Sequence, residues 1–101
     1  MPEFVPAIQR NELPEGRGMC VKLGGREVAL FHVNGSFHAI DNLCLHQGGP
    51  LAEGILRGNV ITCPWHAFQY DVTDGTCRTN PALSLACYPV AVQGQDILVQ
   101  V

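Results

Sequence analysis

Two cysteine–histidine pairs constrain this chain more than any other feature: Cys44-Leu45-His46 and, after sixteen intervening residues, Cys63-Pro64-Trp65-His66. Residues two apart in extended backbone project to the same side, so Cys44 and His46 point together. Pro64 bends the second loop, which lets Cys63 and His66 converge across one further residue. Only four histidines occur in 101 residues, and two of them stand beside cysteines. The fold must therefore carry two loops that together offer two thiolates and two imidazoles. Gly48, Gly49 and Pro50 follow the first pair and favour a tight turn whose N–H groups can approach an anion, because glycine has no Cβ to block it.

The rest of the chain reads as all-β. Short runs rich in Val, Ile and Phe are punctuated by turn residues, and none keeps a helical period beyond two turns. MCVKL and EVALFHV flank Gly24-Gly25, while EVALFHV and SFHAI flank Asn34-Gly35, a strong signal for a two-residue hairpin. These three runs form a predicted meander before residue 41. CYPVAVQ and DILVQV flank Gly94 as a terminal hairpin, and FVPAI reads as an edge strand because Pro6 has no N–H to donate. Residues 41–82 differ in texture, with both Cys/His pairs, five glycines, three prolines and strand-like runs only as long as NVIT and AFQYDV. Such a segment is expected to build little core of its own, which makes a bound metal its expected organiser. A length of 101 residues fits one domain. The expected division is a base of residues 1–40 and 83–101 with a metal-binding subdomain, 41–82, inserted between them.

Composition excludes several functions. Net charge is −3, with nine acidic side chains against six basic ones and no basic cluster, so nucleic acid is not an expected partner. No apolar run approaches the roughly 18 residues of a membrane span. The opening MPEFVPAIQRNELPEG places Glu3 where a secretory signal carries basic residues, so a cytoplasmic address is expected. Five cysteines, an odd number, argue against a complete disulfide framework, and the pairing of two with histidine argues for metal. Cys20, Cys77 and Cys87 are expected to be small buried or half-buried thiols. His32 and His38 are expected to be surface or hydrogen-bonded residues.

The donor set alone leaves alternatives open. A mononuclear zinc site can use two cysteines and two histidines, although the common arrangements pair Cys with Cys and His with His. A thioredoxin-like motif needs a second cysteine where His66 stands.

The two loops resemble those of the Rieske proteins, whose pattern is Cys-x-His, a gap of about this length, then Cys-x-x-His. The Gly-rich turn and the pair Tyr70-Asp71 extend the resemblance. It implies the Rieske fold, an antiparallel β-sandwich or barrel-like base with an inserted cluster-binding part. It also implies one [2Fe–2S] cluster, with Cys44 and Cys63 on the inner iron and His46 and His66 on the outer. With neutral imidazoles such a cluster is formally neutral when oxidised and singly negative when reduced, so it accepts an electron more readily than an all-cysteine cluster. Leu45, Gln47, Pro50, Pro64 and Trp65 surround the ligands as an uncharged tip, suited to small transient redox contacts. Trp65 also reads as a lid that excludes water.

Departures from the family pattern narrow the reading. Respiratory-complex members carry a further cysteine in each loop; those positions are Gly49 and Trp65 here, so no disulfide braces the two loops. The serine that donates to a sulfide in high-potential members is Phe68, while the tyrosine that bonds a ligand sulfur is kept as Tyr70. Loss of one donor disfavours the reduced cluster and points toward the low end of the roughly −150 to +300 mV Rieske range. TNPALSL, at 79–85, resembles the proline loop covering the cluster's remaining side, with Pro81 as cover and Asn80 in place of the usual glycine.

Only 35 residues follow His66, none of them histidine. That leaves no expected place for the mononuclear iron of a Rieske oxygenase, held by two histidines and a carboxylate. The resemblance thus implies a free-standing Rieske-type ferredoxin, a monomeric carrier and not an enzyme. It would pass single electrons from a flavin- and NADH-dependent reductase to the terminal oxygenase of an aromatic-ring-hydroxylating dioxygenase. Two other readings stay open: the small subunit of an assimilatory nitrite reductase, which shares the fold, and a zinc-organised structural or interaction domain.

Overall fold

The computed structural model describes residues 3–42, 50–64 and 68–101. The strands are β1 (Phe4–Gln9), β2 (Gly18–Leu23), β3 (Arg26–Val33), β4 (Ser36–Asp41), β5 (Ile55–Arg57), β6 (Val60–Thr62), β7 (Gln69–Asp71), β8 (Cys87–Tyr88), β9 (Val90–Gln93) and β10 (Asp96–Gln100). Among the described residues there is no α-helix, only two 3-10 turns at Arg10–Glu12 and Leu51–Glu53. Three sheets result, ordered β1-β10-β9, β2-β3-β4-β8 and β5-β6-β7, and every pairing is antiparallel.

The expected meander is β2-β3-β4. At its second turn Asn34 (φ 51°) and Gly35 (φ 78°) both adopt positive φ, the geometry whose twist matches the flanking strands. Glu15 secures that turn from outside, its carboxylate accepting the N–H groups of Asn34 and Gly35 at 2.8 Å each. β1 is an edge strand, as Pro6 requires, and its ladder with β10 slips between Pro6 and Ile8.

CYPVAVQ corrects the sequence reading, because it is two strands and not one. β8 pairs with β4 (Ala39 opposite Tyr88, Ile40 opposite Cys87), whereas β9 pairs with β10. Pro89, between them, cannot donate to either ladder, and its carbonyl accepts the Gln100 N–H at 2.9 Å. The chain changes sheets at this residue. Tyr88 fastens β8 in place by donating its hydroxyl to Asp41 while accepting from Arg26 at 3.3 Å. Burial, ahead of the bond to Asp41, raises the Tyr88 phenol pKa.

β3 is buried on both faces, which is why it reads as a continuous apolar run. Val28 and Leu30 point one way, into a core with Leu13, Ala39, Tyr88 and Val99. Ala29, Phe31 and Val33 point the other way, against Ile40, Leu51, Ile61, Cys63, Tyr70, Val72, Cys77 and Leu85. Each large side chain so buried contributes about 1.5–3 kcal/mol of transfer free energy. This second core corrects the expectation for residues 41–82, since Leu51, Ile61, Cys63, Tyr70, Val72 and Cys77 all belong to it. Strands of three residues are too short to show that alternation in sequence, and among the described residues of AFQYDV the strand is Gln69–Asp71.

Candidate metal centre

Of the four candidate ligands, Cys63 is described. Cys44, His46 and His66 lie outside the described residues, as do Leu45, Gln47, Gly48, Gly49 and Trp65. Cys63 follows β6 directly and is 2% exposed. Its N–H donates to the Phe68 carbonyl at 2.7 Å, closing the base of the second loop. Pro64 is exposed, and half-buried Phe68 packs on the core that holds Cys63. Tyr70 is fully buried and pairs with Cys77 through an isolated bridge. Pro81 is exposed.

The base of the first loop is closed by Asn42, which the sequence reading passed over. Among the described residues it is the one buried polar side chain. Its Oδ1 accepts the Ala52 N–H at 2.9 Å, its carbonyl accepts the Leu51 N–H at 2.7 Å, and its N–H donates to the Glu27 carbonyl at 3.0 Å. An asparagine just before a loop is a turn signal, and nothing in the sequence marks this one as buried.

From Leu51 the chain runs through Gly54 into β5, whose first residue, Ile55, lies opposite Thr62, the neighbour of Cys63. The approach at Gly54 is close: a Cβ there would stand 2.0 Å from the Thr62 carbonyl oxygen. β7 continues the sheet and holds the proline segment. The Arg78 N–H donates to the Gln69 carbonyl at 2.7 Å, and the Gln69 N–H donates to the Thr79 hydroxyl at 2.9 Å. One small sheet thus anchors the segment after the first loop, both ends of the second, and the proline segment.

Arg78 also pairs with Asp71 at 3.2 Å. Burial alone would raise the Asp71 carboxyl pKa, but the Thr73 hydroxyl and N–H and the Arg78 guanidinium together outweigh it and hold the pKa below the usual range. The remaining thiols divide. Cys77 is fully buried as expected, whereas Cys20 and Cys87 are exposed, which corrects the expectation that they are buried or half-buried. Both lie on the two edge strands of the β2-β3-β4-β8 sheet. His32 donates from Nδ1 to the Leu13 carbonyl at 2.8 Å and stacks on Phe37, a hydrogen-bonded role as expected, and His38 is half-buried in β4.

These features fit an iron–sulfur centre. A buried thiol stands at the root of a loop, among apolar neighbours that keep water away, and two thiols with two imidazoles are the donors a Rieske cluster uses. Comparison with known proteins agrees. Residues 3–89 match the Rieske [2Fe-2S] domain model. The ferredoxin component of the naphthalene 1,2-dioxygenase system of Pseudomonas aeruginosa is 35% identical over 98 residues, spanning 96% of this chain and 94% of its own. A chain in a solved complex of reduced oxygenase and oxidized ferredoxin, from carbazole 1,9a-dioxygenase, superposes with TM-score 0.88 at 26% identity, covering 96% of this chain and 92% of that one. A Mycobacterium tuberculosis chain named as an NADH-dependent nitrite reductase small subunit superposes with TM-score 0.91 at 28% identity, covering 100% and 96%. With the family model matched over most of its length and an all-antiparallel fold to go with it, this chain belongs to the Rieske [2Fe-2S] domain family.

Proposed function

We propose that this chain is the electron-carrying ferredoxin of an aromatic-ring-hydroxylating dioxygenase system. The observation that carries the reading is the end-to-end likeness to a naphthalene dioxygenase ferredoxin component, 35% identical over 96% of this chain. Cys44 and Cys63 hold one iron and His46 and His66 the other, within the segment 41–82 that the base of residues 1–40 and 83–101 supports. Once bound, the cluster supplies a one-electron couple whose reduced form is singly negative. The chain's own part is to shield and present it. Tyr70, Phe68 and the core beneath Cys63 exclude water from the inner side, and the uncharged tip around Pro64 and Trp65 meets partners briefly. A flavin- and NADH-dependent reductase donates and the terminal oxygenase accepts, so the chain is a carrier and not a catalyst. A monomer in the cytoplasm completes the proposal; among the described residues no helix is long and apolar enough to cross a membrane.

The likeness to the nitrite reductase small subunit favours a second reading at the level of fold. The intact four-donor pattern argues for the carrier, because small subunits of that branch often lack the cluster ligands and all four are present in this sequence. The deciding experiment measures iron and acid-labile sulfide in anaerobically purified protein and records its electron paramagnetic resonance spectrum after dithionite. A red-brown protein with two irons and two sulfides and a Rieske spectrum is expected, absent in Cys63→Ala and His46→Ala. A colourless zinc protein, or an intact spectrum in either variant, overturns the assignment.

A further inference from the structure

Cys77 has no place in the ligand set, yet it is fully buried beside Tyr70 and within the core that contains Cys63. Its sulfur accepts the N–H of Asn80 at 3.3 Å. The turn that follows is built on Asn80. Oδ1 accepts the Ala82 N–H at 3.1 Å, and the Asn80 carbonyl accepts the Leu83 N–H at 2.9 Å. The Leu83 carbonyl then returns to the Cys77 N–H at 3.1 Å, so the loop closes on the residue where it began. Pro81 has no N–H, so every backbone donor from Asn80 to Leu83 is committed, and the first depends on a thiol. Thiol sulfur is a weak acceptor on a compact apolar side chain; it takes one N–H without bringing a hydroxyl into the core.

We infer that Cys77 is a positioning residue whose buried sulfur, through the Asn80 N–H, fixes the segment Thr79–Leu83 that carries Pro81. The consequence for redox behaviour rests on the ferredoxin reading, in which Pro81 covers the cluster. A loosened cover admits water, water favours the more negative reduced state, and the midpoint potential rises. Two substitutions separate the acceptor from its bulk. Cys77→Val fills the space but cannot accept, while Cys77→Ser accepts with less bulk.

The measurement is hydrogen–deuterium exchange of the peptide covering 78–85 in the cluster-loaded protein, with the β3 peptide as internal control, together with the midpoint potential. Cys77→Val is expected to speed exchange at residues 80–83 about tenfold, leave β3 unchanged and raise the potential, with Cys77→Ser close to wild type. Wild-type exchange and potential in Cys77→Val overturn the inference. So does a Cys77→Ser protein as loose as Cys77→Val, because packing alone would then explain the effect. Should Cys77→Val not fold, the exposed Asn80→Pro deletes the same N–H. It must loosen Ala82 and Leu83 beyond Asn80→Ala, which keeps that N–H, or the inference fails. A wild-type protein without a Rieske spectrum refutes the ferredoxin reading, and the exchange data still decide the role of Cys77.

Discussion

Replacing Gly54 with alanine tests how tightly the segment after the first loop is joined to the second. Gly54 has ordinary backbone torsion, so alanine incurs no conformational strain there; the whole cost is contact. The added methyl would stand 2.0 Å from the Thr62 carbonyl oxygen, 3.0 Å from its carbon and 3.2 Å from the Leu51 carbonyl oxygen. All three are backbone atoms, which no rotamer change can move aside. Relief to an ordinary contact needs more than about 1 Å of separation between Gly54 and the end of β6. That displacement breaks the Ile55–Thr62 pairing next to Cys63. One or two backbone hydrogen bonds at about 1 kcal/mol each, with about 1–2 kcal/mol of overpacking, give a loss of about 2–4 kcal/mol. Urea unfolding measures it, and iron per chain reports whether Cys63 can still reach the metal it is proposed to hold. Gly58→Ala is the control: its φ is +57° and nothing lies within 4 Å, so it costs about 1–2 kcal/mol of backbone strain and keeps its iron. A Gly54→Ala protein with wild-type stability and full iron content would refute the reasoning.

Leu51→Ala empties a fully buried position in the core shared by β3 and the 50–85 segment, and is expected to cost about 2–5 kcal/mol by urea unfolding. The Gly35 N–H, ahead of burial and of the Asn34 N–H, sets the balance that lowers the Glu15 carboxyl pKa. A depressed folded-state pKa adds stability above the usual carboxylate range that is lost as pH falls through the folded value, so the gap between wild type and Glu15→Gln should close on acidification. A gap that stays constant with pH would show that Glu15 contributes through its hydrogen bonds alone. With Phe68 where a sulfide-bonding serine stands in high-potential relatives, voltammetry is expected to place the midpoint toward the low end of the roughly −150 to +300 mV range; a value above zero refutes this.

The elements legible in sequence were those whose turns carry their own chemistry. Gly24-Gly25, Asn34-Gly35 and Gly94 marked three hairpins, and Pro6 marked an edge. The alternation in β3 was visible only as an apolar run, because both faces are buried. Pro89 was readable as a residue but not as a crossing, since the two-residue β8 has no period to display. At the candidate centre the donor residues announce themselves through spacing, whereas their supports do not. Asn42 and Cys77 act through hydrogen bonds to backbone N–H groups ten and three residues away, and such partners depend on the folded path.

The second face of β3 bears on how the finished protein is made. Leu51, Ile61, Tyr70 and Val72 are clenched against Ala29, Phe31 and Ile40 by oil-like contacts among side chains that are not candidate metal ligands. On that footing the polypeptide is expected to take its shape before any inorganic loading and to wait as a ready receptacle, one that could be emptied and refilled without being remade.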